Sequence, residues 1–183
     1  MTHVSLPEPA LPPGADPEAL YDIVNGNRVE FSKSVYALWV AGQLHRPLWQ
    51  FVQARQLART FMGAHFVLDA EIDQRRRIDL AFVGIDRWPL ERRLPETGDW
   101  IMVPNLAVEV LSPGDAFEQI LAKLQEYFHY GVQQFWLVSP KVRKVYVYDS
   151  PTRVRIVTDV DALDNTVVPF FTLRVREIFQ KAM

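Results

Sequence analysis

There is no cysteine in this chain of 183 residues, which removes disulfide staples, thiolate zinc sites and thiol nucleophiles from consideration. A reducing compartment accords with that lack, and the cytoplasm is the expected location. No apolar run is long enough to span a bilayer. The opening MTHVSLPEPALPPGADPEAL sets prolines and acids where a secretory signal needs a basic start and an unbroken apolar stretch. Also missing are a glycine-rich phosphate loop, a G-x-S-x-G elbow and a dinucleotide fingerprint. The histidines His3, His45, His65 and His129 have no close metal-ligand spacing. Nor is there a basic excess: the net charge is −2 and the pI near 6.1, so nucleic acid, if bound, is bound locally rather than coated.

What is present suits one globular domain, with 49% hydrophobic and 23% charged residues. Residues 18–183 form that expected domain. Residues 1–17, with Pro7, Pro9, Pro12, Pro13, Gly14 and Pro17, continue neither a helix nor a ladder and are expected to be a poorly ordered arm.

Asn25-Gly26-Asn27 is a tight-turn signal between apolar flanks and predicts a hairpin. From Ser34 to about Met62 the residues are helix-compatible, but Gly42 and Pro47 interrupt them, which predicts one kinked helix or two short ones. Segments 64–70 (AHFVLDA) and 78–84 (IDLAFVG) read as strands joined by a charged turn, EIDQRRR. Residues 85–103 read as a long loop bordering a site, with Trp88 and Trp100 exposed. Segment 105–111 (NLAVEVL) reads as a central strand covered on both faces. Asp115 and Glu118 form a capping-box pattern for a helix running to about Tyr130. Its apolar stripe is Phe117, Ile120, Leu121, Leu124, Tyr127 and Phe128, and Gly131 is its C-terminal cap. Strands over 134–139, 142–148 and 154–158 and a short helix over 175–180 complete an α/β (α+β) order.

A carboxylate inside a buried strand is costly unless it is paired, hydrogen-bonded or bound to a cation. Glu109, set among Leu106, Ala107, Val108, Val110 and Leu111, is such a residue. An arginine partner, a bound cation or one solvent-facing side of the strand each meets the need. Asp79 sits in a second strand, where its pattern fits a solvated acid and a ligand equally. Two carboxylates on adjacent strands can converge on one hard cation, since Mg²⁺ takes a few carboxylate oxygens and keeps waters. Lys123 borders the apolar stripe on the flank of Tyr127. It either turns toward the acids or covers apolar surface with its stem. Arg75, Arg76 and Arg77 either hold phosphates at the mouth of the site or form a solvated turn. Trp136, Val138, Tyr146 and Tyr148 make the late sheet aromatic, which suits an interface or a core.

The segments IDLAFV (78–83), PNLAVEVLSPGD (104–115), KLQEY (123–127) and GVQQFWLVSPKVRKVYVY (131–148), with YDIVNGN (21–27), resemble the Uma-two family of bacterial restriction-endonuclease-like proteins. That family is similar to the PD-(D/E)XK nucleases. The resemblance therefore implies a restriction-endonuclease-like core, a mixed β-sheet flanked by helices, whose acids bind Mg²⁺ or Mn²⁺. It implies Asp79 and Glu109 as the metal-binding acids. Leu111 stands where the motif has its lysine, and Lys123 matches the helix lysine that replaces it in the Uma-two pattern. Tyr127, four residues on, joins Arg75, Arg76 and Arg77 as a candidate substrate-binding residue. Three departures stand out: Ile78 for proline, Asn27 for glutamate, and SKSVY (32–36) for a Ser-Pro-x-His stretch. Glu30 and Asp22 are the acids left to supply a third carboxylate, and neither matches the motif.

The resulting expectation is a metal-dependent nuclease with Asp79, Glu109 and Lys123 as its catalytic residues and DNA as its substrate. A homodimer is expected by analogy, because two sites related by a two-fold axis cut both strands of a duplex. The alternative is a catalytically weak relative serving as a nucleic-acid-binding or oligomeric assembly module; a purely structural oligomer is a third reading. Asp79→Ala and Glu109→Ala are each expected to abolish metal-dependent cleavage and, by relieving repulsion in a crowded acidic site, to leave stability without metal equal or higher.

Overall fold

The computed structural model describes residues 6, 7, 10, 11, 13–96 and 99–180; the rest of the proline-rich arm and Gly98 of the long loop lie outside the described residues. Within the arm, the Pro7 carbonyl accepts a bond from Arg75 and the Asp16 carbonyl one from Arg28. Asn25 and Gly26 both have positive φ, 49° and 73°. Such angles define the primed turn that matches strand twist, and here they join β1 (Leu20–Val24) to β2 (Asn27–Phe31).

The helix α1 (Val35–Arg55) follows, its first turn capped by the Ser34 hydroxyl, which accepts from the Ala37 N–H. It is one helix, not two, and it contains Pro47. Leu44, Leu48 and Val52 are fully buried along it, and their burial outweighs the ~3 kcal/mol that an interior proline costs. The helix also ends earlier than its local propensities suggest. Gln56 turns left-handed, and residues 58–62 enter β3 (Ala58–Asp69). There they pair with β4 (Gln74–Gly84), Ala58 opposite Gly84, and sheet pairing overrides a locally helix-compatible sequence.

After β5 (Trp100–Ile101) come β6 (Leu106–Val110), α2 (Phe117–His129), β7 (Gln134–Ser139), β8 (Lys144–Ser150) and β9 (Arg153–Thr158). The small sheet of β10 (Ala162–Asp164) and β11 (Thr172–Arg174) and the short α3 (Val175–Ile178) end the described chain. The main sheet runs β2-β1-β4-β6-β7-β8-β9, with β3 pairing β4 and β5 off that path. Because β6 and β7 are parallel and the other neighbours on that path antiparallel, the sheet is mixed, as expected.

The two faces of β6 locate the site. Leu106, Val108 and Val110 pack with Leu44, Leu48 and Val52 of α1, whereas Ala107 packs with Leu124 and Tyr127 of α2. The two-residue period of a strand then turns Glu109 toward α2.

Several expectations are corrected. Trp88 and Trp100 are buried, their rings edge to face at 5.0 Å, so they anchor the long loop to the body. Of the two readings of the late sheet, interface or core, Trp136 and Val138 take the core one. No capping box forms: Ala116 is the N-cap of α2 without a side-chain bond, and the Asp115 carboxylate accepts from the Ser112 N–H. The stripe of α2 narrows to Ile120, Leu124 and Tyr127, with Phe117 exposed, while Gly131 has the left-handed φ of 96° expected after a helix end. Among the described residues no helix is long and apolar enough to cross a membrane.

Candidate active site

The β4–β6 register pairs Leu80 with Val108 and Ala81 with Ala107. One step further brings Asp79 beside Glu109. The backbone ladder stops there, and the Asp79 carboxylate replaces it, accepting the Val110 N–H at 2.8 Å through Oδ2. The site therefore opens where the two strands part.

Into this gap reaches Lys33, from the three-residue link between β2 and α1. The link is tied down because the Ser34 N–H donates to the Ser112 hydroxyl at 3.0 Å. The Lys33 ammonium lies 2.7 Å from Asp79 Oδ2 and 3.6 Å from Glu109 Oε2. It also donates to the Val110 carbonyl at 2.8 Å.

A second layer holds the other side of Glu109. Its Oε1 accepts from the Tyr127 hydroxyl at 2.6 Å and lies 3.5 Å from the Lys123 ammonium. Lys123 in turn meets Asp22 Oδ2 at 3.1 Å, and Asp22 also takes Arg76 at 3.0 Å and the Arg77 N–H at 2.8 Å. Arg76 and the Gln74 amide both close on the Glu126 carboxylate. A cleft of about 240 Å³ opens over Asp22, Lys33, Arg76 and Glu109, walled by Val29 and Phe31 of the hairpin and by Gln119, Ile120 and Lys123 of α2.

Burial and the neighbouring Glu109 charge push the Asp79 carboxyl up to about 7, against the lowering pull of Lys33. Burial alone would raise Glu109 as well, but Lys123, Lys33 and the Tyr127 hydroxyl hold it below the usual carboxylate range. The two acids thus split, one held ionised and one poised to take a proton. Both lysines rise although burial opposes it, Lys33 through Glu109 and Asp79, Lys123 through Glu109 and Asp22.

Asp79, Glu109 and Lys123 are brought together. All three arginines lie in β4 rather than in the turn, which spans only residues 70–73, and of them Arg76 lines the cleft. Arg75 is buried against Asp73 and Asp99, and Arg76 is committed to Asp22 and Glu126. Tyr127 is fully buried with its hydroxyl on Glu109, so it holds the acid rather than a substrate. Sequence reasoning missed Lys33, which no periodicity marks. Asp22, named with Glu30 as an acid left to supply a third carboxylate, is in the site, where it partners Lys123 and Arg76.

Among the described residues no three of His, Cys, Asp and Glu gather as a metal cluster. Yet Asp79 Oδ2, Glu109 Oε2 and the Val110 carbonyl converge on one point, which the Lys33 ammonium marks. Carboxyl and carbonyl oxygens are what hard divalent cations take. These residues fit such an ion in place of the ammonium.

The fold has a counterpart among solved structures. It is similar to the crystal structure of a "putative nuclease belonging to DUF820" from Anabaena variabilis ATCC 29413, with a TM-score of 0.74 at 18% identity, over 90% of this chain and 92% of that one. The chain belongs to the Uma2 family, described as "Putative restriction endonuclease", whose profile matches residues 10–176. No curated protein matches the sequence.

Proposed function

We propose that the chain is a cytoplasmic nuclease that hydrolyses phosphodiester bonds in DNA with Mg²⁺ or Mn²⁺ at Asp79 and Glu109. The observation that carries this reading is the convergence of both carboxylates on a single cation, the Lys33 ammonium, at 2.7 and 3.6 Å. Asp79 and Glu109 would hold the divalent ion, which when bound would supply a Lewis acid for a phosphodiester oxygen and for the attacking water. Lys123, which lines the cleft, stabilises the negative charge that develops on the phosphate. Asp22 and Arg76 keep Lys123 in place, and Tyr127 fixes the orientation of Glu109. A homodimer belongs to the proposal, with Val154 and Ile156, exposed on the last strand of the sheet's path, as apolar surface for a second copy to cover. The test is incubation of plasmid DNA with the protein in Mg²⁺ or Mn²⁺ and in chelator. Nicking or linearisation in metal alone supports the reading; an intact plasmid in both metals contradicts it.

The second reading, a catalytically weak nucleic-acid-binding or assembly module, is favoured by the pairing of both acids with lysines. It expects DNA to shift in a gel in chelator and to stay intact in metal.

A further inference from the structure

We infer that Lys33 is a built-in counter-cation that sits in the divalent-cation seat of the metal-free protein and has to leave before Mg²⁺ or Mn²⁺ binds. The inference rests on the metal-dependent reading above and names what controls it. The ammonium has three N–H donors, and three oxygens surround it: Asp79 Oδ2 at 2.7 Å, the Val110 carbonyl at 2.8 Å and Glu109 Oε2 at 3.6 Å. With 5% of its side chain exposed, this lysine does not keep its charge in water.

Lys123 is different in kind. Its ammonium takes the opposite oxygen of Glu109 and the Asp22 carboxylate, and so leaves Asp79 and the Val110 carbonyl free. A divalent ion can sit beside Lys123 but cannot share lone pairs with Lys33, since two cations on the same oxygens in a buried site repel strongly. Each charge therefore excludes the other from this seat.

Displacement needs no unfolding. Lys33 lines the cleft, and Asp115 Oδ2 lies 3.9 Å from its ammonium on the same wall. A swing of the side chain keeps one ion pair while giving up the seat. Two consequences follow. The metal-free protein is neutralised internally and folds without metal, and its apparent metal affinity falls in proportion to the fraction of time the seat is free.

The experiment is Mn²⁺ binding by calorimetry and by the spin-resonance signal of free Mn²⁺, on the full chain and on Lys33→Ala, Lys33→Arg and the double variant Lys33→Ala with Asp79→Asn. Lys33→Ala is expected to bind one Mn²⁺ at least ~10-fold more tightly than wild type, because a seat blocked nine-tenths of the time loses that factor. Lys33→Arg, which keeps the cation, is expected to bind no more tightly than wild type. Loss of binding in the double variant places the ion at Asp79. Metal-free Lys33→Ala is expected to melt below wild type and to recover with Mn²⁺; if it does not fold, Lys33→Met keeps the stem and is titrated in its place. Equal, Asp79-dependent affinity in wild type and Lys33→Ala overturns the role of Lys33 and leaves the metal site standing. Absence of Asp79-dependent binding in both overturns the metal site and this inference together.

Discussion

The Tyr127 hydroxyl donates to Glu109 Oε1 at 2.6 Å, and both residues are buried to within 1% of complete exclusion from solvent. A hydrogen bond to a buried charge is worth about 1.5–3 kcal/mol. Tyr127→Phe keeps the ring and deletes the donor, so urea unfolding is expected to show a loss of that size, and DNA cleavage is expected to fall with it. Unchanged stability and cleavage would remove Tyr127 from the support of Glu109.

Asp79 and Glu109 are expected to respond unequally to neutral substitution. Glu109 is held ionised by two lysines and a tyrosine, and removing one partner of a buried ion pair costs about 3–5 kcal/mol. Glu109→Gln is expected to lose about that much, because it takes the shared anion from both lysines and leaves Lys33 chiefly with Asp79, whose carboxyl is pushed up to about 7. Asp79 is already near neutrality, its carboxyl pushed up to about 7, so Asp79→Asn is expected to cost about 1 kcal/mol or less. This reverses the expectation from the sequence that loss of either charge relieves repulsion, because the lysines pair with both acids. Denaturant melts of both variants check it, and equal losses would contradict the split between the two acids.

The same split sets a pH dependence. Asp79 moves from 3.8 to about 7 on folding. The folded protein therefore holds a proton that the unfolded chain has released between those values. The stability this contributes is full below the lower value and is lost as pH rises through the upper one, by up to about 1.4 kcal/mol per pH unit. Glu109 acts in the opposite sense: its contribution is present above its unfolded value and is lost as pH falls through the lowered folded one. Melting temperature is expected to decline from pH 5 to 8 in wild type and to flatten in Asp79→Asn. A slope unaffected by Asp79→Asn would assign the dependence to another group.

Lys123→Met separates catalysis from stability. Asp22 keeps Arg76, and Glu109 keeps Lys33 and Tyr127, so no buried charge is left alone. A small change in melting temperature is expected, together with a fall in cleavage of about 10²–10³-fold, the usual cost of removing one preorganised group facing the developing charge. Cleavage at the wild-type rate would reduce the site to its two acids.

The order of the main elements was legible because hydrophobic period and turn chemistry are local. Asn25-Gly26 marks its hairpin, NLAVEVL its buried strand, and the stripe around Tyr127 its helix. Glu109 stood out for the same reason, as a charge with no packing rationale. What local pattern does not carry is which side chains meet. Arg75, Arg76 and Arg77 fitted a phosphate-holding mouth and a solvated turn equally, yet Arg76 is buried between Asp22 and Glu126, which only the juxtaposition of β1, β4 and α2 supplies. Lys33 lies in a short link whose path depends on where β6 ends. Residues 58–62 could satisfy either a helix or a strand, and pairing with β4 decided between them.

The central claim is that Asp79 and Glu109 form a metal-assisted phosphodiester-cleaving centre. Single-turnover cleavage of DNA in Mn²⁺ by wild type and by Asp79→Asn, with the fold of each verified by circular dichroism, tests it most directly. The account predicts metal-dependent cleavage by the wild type and a loss of at least ~100-fold in the folded variant. Cleavage by Asp79→Asn at the wild-type rate would contradict it.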